Sequence, residues 1–128
     1  MFSPKQKFGR EIEELARAYL LEAGLRCVNS NYSCSAGEID LVMQDNDTLV
    51  FVEVRYRQDD DYGGAVASIT KSKQRKIIHA AKTYLQEQNL WDKVVCRFDV
   101  LVVQDGCGCD HGARQIHWLK DAFWVSGW

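Results

Sequence analysis

Two carboxylates interrupt the most apolar stretches of this 128-residue chain. Asp40 lies within "GEIDLVM" and Glu53 within "FVEVRYR", where Arg55 and Arg57 follow at alternate positions. Glu53, Arg55 and Arg57 therefore share one side of a period-2 pattern. Two close carboxylates repel, and burial raises that cost, so a compensating cation is needed. Arg55 or Arg57 could supply it as an ion pair. A divalent metal could also supply it, because Mg²⁺ favours one or two carboxylates completed by water and phosphate oxygens. The plainer alternative is a surface hairpin closed by a salt bridge, a common and individually weak feature.

More groups of the same chemical type lie elsewhere. Glu13 sits at the border of an apolar helical face, whereas Glu14 points roughly 180° from its centre. Glu13 can thus look toward a sheet, although a border Glu is more often simply solvated. The segment "KSKQRK" places Lys73 and Lys76 on one flank of a helical stripe, and Lys71, Arg75 and Lys82 on the other. Basic residues at the rim of a cleft suit phosphate contacts. Lysines that snorkel to keep an apolar helix in solution would look similar. Cations at a helix N-terminus oppose the macrodipole, however, so solubility alone does not explain their position.

These groups need elements to position them. Residues 8–23 read as an amphipathic helix with Ile12, Leu15, Ala16, Tyr19, Leu20 and Ala23 on one face, stopped by Gly24. Residues 38–43 and 48–56 read as strands joined by the turn "QDNDT". A two- or four-residue loop sets residue 40 opposite residue 51 or residue 53, respectively. Either register puts Asp40 and Glu53 on one face, with Cβ atoms about 5–8 Å apart. After the polar loop "RQDDDYGG", Thr70 can cap a second helix running to about Gln88, with Ile77, Ala81, Tyr84 and Leu85 facing the core. Residues 94–103 form a third strand. The tail carries "QDGCGCDHGA", a short strand or turn, and "WLKDAFW". The expected class is α/β: a mixed sheet flanked by helices, in the order α-β-β-α-β plus a small C-terminal extension.

Composition fits one domain over residues 1–128. Hydrophobic residues make up 46% of the chain and there is one Pro, so a packed core is expected. No apolar run approaches the ~20 residues that span a bilayer. The start carries no hydrophobic segment after its charges, which makes the cytoplasm the expected compartment. The net charge of −2 does not advertise a nucleic-acid binder, but it hides the clustering on the second helix. Five cysteines in a leaderless chain argue against a disulfide framework. Cys107, Cys109 and His111 could in principle ligate zinc, yet a tetrahedral site needs four ligands. A Gly-rich surface loop with exposed thiols is the alternative.

The motifs "GREIEELARAYLLEAGL", "GEIDLV", "LVFVEVRYR", "YGGAVASITKSKQRKIIHAAKTYL", "RFDVLVV" and "WLKDAF" resemble the YraN family, a widespread bacterial family, over nearly the whole chain and in order. That family is similar to the PD-(D/E)xK superfamily, which includes restriction-endonuclease-like folds, Holliday-junction resolvases and tRNA-splicing-endonuclease-like domains. The resemblance implies a restriction-endonuclease-like sheet with Mg²⁺ or Mn²⁺ as cofactor. It implies metal-binding roles for Asp40 and Glu53, with Glu13 as the acidic residue of the first helix. Lys73 matches a lysine early in the second helix, and Arg57 a basic residue after the core motif. Three positions depart from the family pattern. Arg55 stands where the superfamily lysine is usual, Ile12 replaces a Gly, and Ser33 stands near Asn31 where an Arg is usual. Arginine supplies charge and donors but cannot act as a base.

Three functions follow as expectations. The first is a metal-dependent endonuclease acting on branched or single-stranded DNA, with Asp40, Glu53, Arg55 and Lys73 as catalytic groups. The second is a nucleic-acid-binding protein with the same fold and weakened or absent catalysis, contacting its ligand through Arg57, Lys71, Lys73, Arg75 and Lys76. The third is an adaptor using the basic helix or the aromatic tail (Trp118, Phe123, Trp124, Trp128). Within that tail, burial tendencies favour Phe123 for core closure and leave Trp128 at the surface. The oligomeric state stays open, a homodimer included.

Overall fold

A computed structural model describes residues 3–58, 62–105 and 114–124, without the side chains of residues 62 and 63. The element order is α1 (Pro4–Glu22), β1 (Arg26–Cys34), β2 (Gly37–Asp45), β3 (Thr48–Arg57), α2 (Tyr62–Ala67), α3 (Lys71–Glu87), β4 (Val95–Gln104) and β5 (Gln115–Phe123). The sheet runs β1-β2-β3-β4-β5. Only β3 and β4 pair in parallel; every other neighbour is antiparallel. The expected α/β class holds, and the architecture is compatible with a nuclease-like α/β fold.

The central strands read as near-continuous apolar runs because helices cover both faces. On one face, Ile12, Ala16 and Leu20 of α1 pack on Leu41, Met43, Val50, Val52, Leu101 and Val103. On the other, Ile77, Ala80, Ala81, Tyr84 and Leu85 of α3 pack on Val42, Leu49, Phe51, Phe98, Val100 and Val102. Phe123 closes this second layer, stacking on Phe98 at 5.0 Å between ring centroids.

Four elements differ from the expected ones. Helix α1 begins at Pro4 because Ser3 and Gln6 form a capping box with Pro in the first turn, a signal that precedes the apolar stripe. Its buried line is also narrower: Leu15 and Tyr19 flank the contact and remain exposed. Strand β1 was not expected. It is an edge strand with no fully buried residue, so period-2 hydrophobicity is weak there and pairing with β2 creates it. The short helix α2 occupies ground read as loop. The C-terminal extension is the fifth strand, bent by a bulge between its pairs to Phe98 and Val100. Cys107, Cys109, His111 and Trp128 lie outside the described residues.

Candidate functional site

Strands β2 and β3 part company where the carboxylates sit. Their turn holds two residues, Asn46 and Asp47, and their pairing runs from Asp45↔Thr48 to Leu41↔Val52. One step further along this register, residue 40 falls opposite residue 53. This corrects the expected register: a two-residue turn placed at Asn46 and Asp47 sets residue 40 opposite Glu53, not opposite residue 51. Beyond Leu41, β2 pairs with β1 alone, and beyond Val52, β3 pairs with β4 alone. In this fork the Val54 N–H donates to Asp40 Oδ2 at 2.8 Å. A side chain takes over where the ladder ends, and it fixes the Asp40 carboxylate in place.

Glu53 is only 8% exposed. Burial and the Asp40 charge push its carboxyl up to about 8, against a partial opposing pull from Arg55 and Lys73. Burial also raises Asp40, although the Val54 N–H and Arg55 hold it down. As the neutral acid, Glu53 donates a hydrogen bond to the Asp40 carboxylate. The pair therefore carries one proton between two carboxyls at neutral pH. Arg55 Nη2 lies 3.1 Å from Glu53 Oε1. Arg55 thus faces the carboxylate pair as a neighbouring cation, and the contact becomes a full ion pair only when Glu53 ionises.

Helix α1 supplies the opposite wall. A cleft of about 880 Å³ is lined by Lys5, Gln6, Phe8, Gly9, Arg10, Ile12 and Glu13 of α1, by Asn31 and Glu38, and by Asp40, Val54, Arg55 and Tyr56. Glu13 lines this cleft, the less common of the two positions open to a border Glu, while Glu14 is exposed and paired with Arg17. Burial, then the charge of Asp40, raises the Glu13 carboxyl. The Asn31 amide faces the Glu13 carboxylate, and the orientation that satisfies both groups sets its nitrogen 2.8 Å from Oε2 and 3.1 Å from Oε1. Among the described residues, no three His, Cys, Asp or Glu side chains converge on one metal-sized position. Glu13 and Asp40 act on each other through space, and Asn31 faces the Glu13 carboxylate.

The basic residues divide. Lys73 follows the Thr70 cap, whose Oγ1 accepts from the Lys73 N–H at 3.2 Å, and its charge reaches Glu53. Lys76 is exposed, but its backbone lies against β2: a Cβ at Gly37 would meet Lys76 O at 3.0 Å. Glycine is required there by close approach, and that approach seats the Lys73–Lys76 flank near the fork. Lys71 and Arg75 line a separate groove with Gln74, Ile78, His79, Lys82 and Trp124. The Arg57 guanidinium donates to Gly64 O at 3.0 Å and ties β3 to α2.

Two contributors were not anticipated as site residues. Asn31 adopts a left-handed φ of 56°, opposite Asp40 between the pairs Ser30↔Leu41 and Tyr32↔Ile39. Asn tolerates that conformation, but only the unanticipated β1 places it there. Glu38 raises both Asp40 and Glu13 through space. Its signal was legible, since "GEID" sets it two residues from Asp40 on a strand.

A family model described as "Uncharacterised protein family UPF0102" matches residues 12–103, which include Glu13, Asp40, Glu53, Arg55 and Lys73. A UPF0102 protein of Psychromonas ingrahamii is 50% identical over 111 residues, 87% of this chain and 84% of its own length. One from Nitrosococcus oceani is 47% identical over 117 residues, 91% of each. Another, from Pseudomonas syringae pv. tomato, is 44% identical over 122 residues, 94% of this chain and 95% of its own length. With a match across most of the chain and relatives at this identity, the chain belongs to the UPF0102 (YraN) family.

Proposed function

We propose that this chain is a nucleic-acid-binding protein whose cleft hydrolyses phosphodiester bonds in branched or single-stranded DNA with the help of Mg²⁺ or Mn²⁺. The observation that carries this reading is the buried Asp40–Glu53 pair at the fork, with Asp40 fixed by the Val54 N–H and Arg55 beside Glu53. Oxygen donors with one proton to give up suit a hard divalent cation, and two carboxylates suffice when phosphate and water complete the shell. Asp40 and Glu53 would hold the ion. A bound ion supplies Lewis acidity toward a phosphate oxygen and lowers the pKa of water.

The chain's own groups do the rest. Arg55, held against Glu53, presents fixed positive charge to a phosphate entering the cleft. Lys73 adds charge at the same carboxylate from the start of α3. The Val54 N–H keeps Asp40 from rotating away. Arg55 stays protonated, so it stabilises charge and does not take a proton from water.

Calorimetric titration with Mn²⁺ tests the site directly. Wild type should bind the ion and release about one proton per ion at pH 7, read from the dependence of the heat on buffer ionisation. Asp40→Ala and Glu53→Gln should lose both signals, and Asp40→Ala should lose cleavage of junction and single-stranded substrates. If Asp40→Ala binds Mn²⁺ and cleaves like wild type, the reading fails.

Arg55 in the lysine position favours a second reading, a DNA-binding protein with little turnover. It predicts salt-sensitive binding that weakens on Lys73→Ala or Lys76→Ala with no cleavage at any metal concentration. Unchanged binding in both variants would count against it.

A further inference from the structure

Helix α3 carries five Lys or Arg residues and one acidic residue, in a chain whose net charge is −2. Two of those cations face the fork side. The others lie on the far flank, where Lys71, Arg75 and Lys82 line a groove of about 300 Å³ closed by Trp124, just beyond the end of β5. Positions 71, 75, 78 and 82 follow the i, i+4, i+7, i+11 spacing of one helical stripe. The stripe is about 16 Å long, enough to meet more than one phosphate of an extended strand. Trp124 is 79% exposed, an unusual position for so large an apolar ring. Neither the charge nor the indole serves the core, which Phe123 already closes.

We propose that the groove between α3 and the end of β5 binds a single-stranded DNA segment leaving the cleft, with its phosphates along Lys71, Arg75 and Lys82 and a base on Trp124. The proposal rests on the reading of the cleft as a DNA site and adds the groove along which an unpaired strand leaves it. Charge complementarity selects a polyanion. The indole selects unpaired bases, because a base exposes its flat face to a side chain only when it is out of a duplex. Continuity selects the path. Lys71 and Lys73 lie on opposite flanks of the first turn of α3, so a strand leaving the fork reaches the stripe by crossing the start of the helix.

Fluorescence anisotropy with a labelled single-stranded 15-mer and its duplex, both without metal, tests this. Trp124→Ala should weaken single-strand binding roughly 5- to 150-fold, the range of one lost base stack, and leave duplex binding within a factor of two. Lys71→Ala with Arg75→Ala should flatten the slope of log K against log salt by about 1.4, at ~0.7 per phosphate contact. These positions are exposed on the surface, so the variants should fold, and circular dichroism checks that they do. Wild-type affinity in both variants overturns the groove; if Lys73→Ala binds more weakly in the same assay, the cleft reading survives alone. If wild type binds neither DNA, both readings fall. A groove that binds polyglutamate as tightly as the 15-mer, with the same losses, is a protein-docking site, and that result also overturns the proposal.

Discussion

Glu53 keeps its proton up to about pH 8, because its carboxyl is buried and faces Asp40. The sign of the resulting pH dependence follows from linkage. Its folded value lies above its ordinary 4.5, so the folded state binds this proton more tightly than the unfolded chain does. The contribution to stability is fully present below pH 4.5 and is lost as pH rises through about 8. Other carboxylates add their own trends, so the informative quantity is the difference between wild type and Glu53→Gln. A neutral amide should flatten the decline across that window by on the order of a few kcal/mol, read from denaturant midpoints at a series of pH values. Arg55 acts at the same scale. If lack of a proton acceptor limits turnover, Arg55→Lys should raise metal-dependent cleavage at least about tenfold, while Arg55→Ala should lower it. Equal rates in wild type and Arg55→Lys would show that the guanidinium is not what limits the reaction.

Among the elements, the fork between β2 and β3 explains what could and could not be read in advance. Asp40 and Glu53 were legible because side-chain alternation makes the face a matter of parity, and any even-length turn gives the same answer. The choice of Glu53 over residue 51 was not legible, since it depends on Asn46 and Asp47 alone forming the turn. Strand β1 escaped because an edge strand needs no apolar face, and Asn31, its contribution to the cleft wall, escaped with it. The basic flanks of α3 were visible on a helical wheel. Which flank meets the carboxylates was not, because that depends on Gly37 admitting Lys76. The start of α3 can be tested at this scale. Thr70 caps it by accepting the Lys73 N–H, so Thr70→Ala should destabilise the protein by about 1 kcal/mol. It should also loosen the turn that carries Lys73, and thermal melts with DNA titrations would register both effects.

For the whole molecule, the arrangement separates what holds the fold from what serves the site. Two apolar layers, one under α1 and one under α3, support the sheet from opposite faces. Asp40 and Glu53 lie where β2 and β3 diverge and those layers give way to the cleft, whereas the buried Asp99 and Gln104 sit on β4 and bond to β5. A molecule built this way places two like charges in a buried fork and stabilises them with one proton. An ion that replaces the proton should therefore stabilise the whole fold by mass action, and more at high pH, where the proton competes less. With Mn²⁺ at about 100 times its Kd, the gain is ~2.7 kcal/mol, or roughly 10 °C in Tm for a chain of this size. Calorimetric scans should show that shift in wild type at pH 8, a smaller one at pH 6, and none in Asp40→Ala. Ile77→Val, a buried substitution in the α3 layer, should lower the starting Tm by removing ~1 kcal/mol of packing. It should still show the full Mn²⁺ shift, because the frame and the fork contribute separately. A shift that shrank with Ile77→Val as it does with Asp40→Ala would mean that the ion acts through the packing of the fold and not through the carboxylate pair.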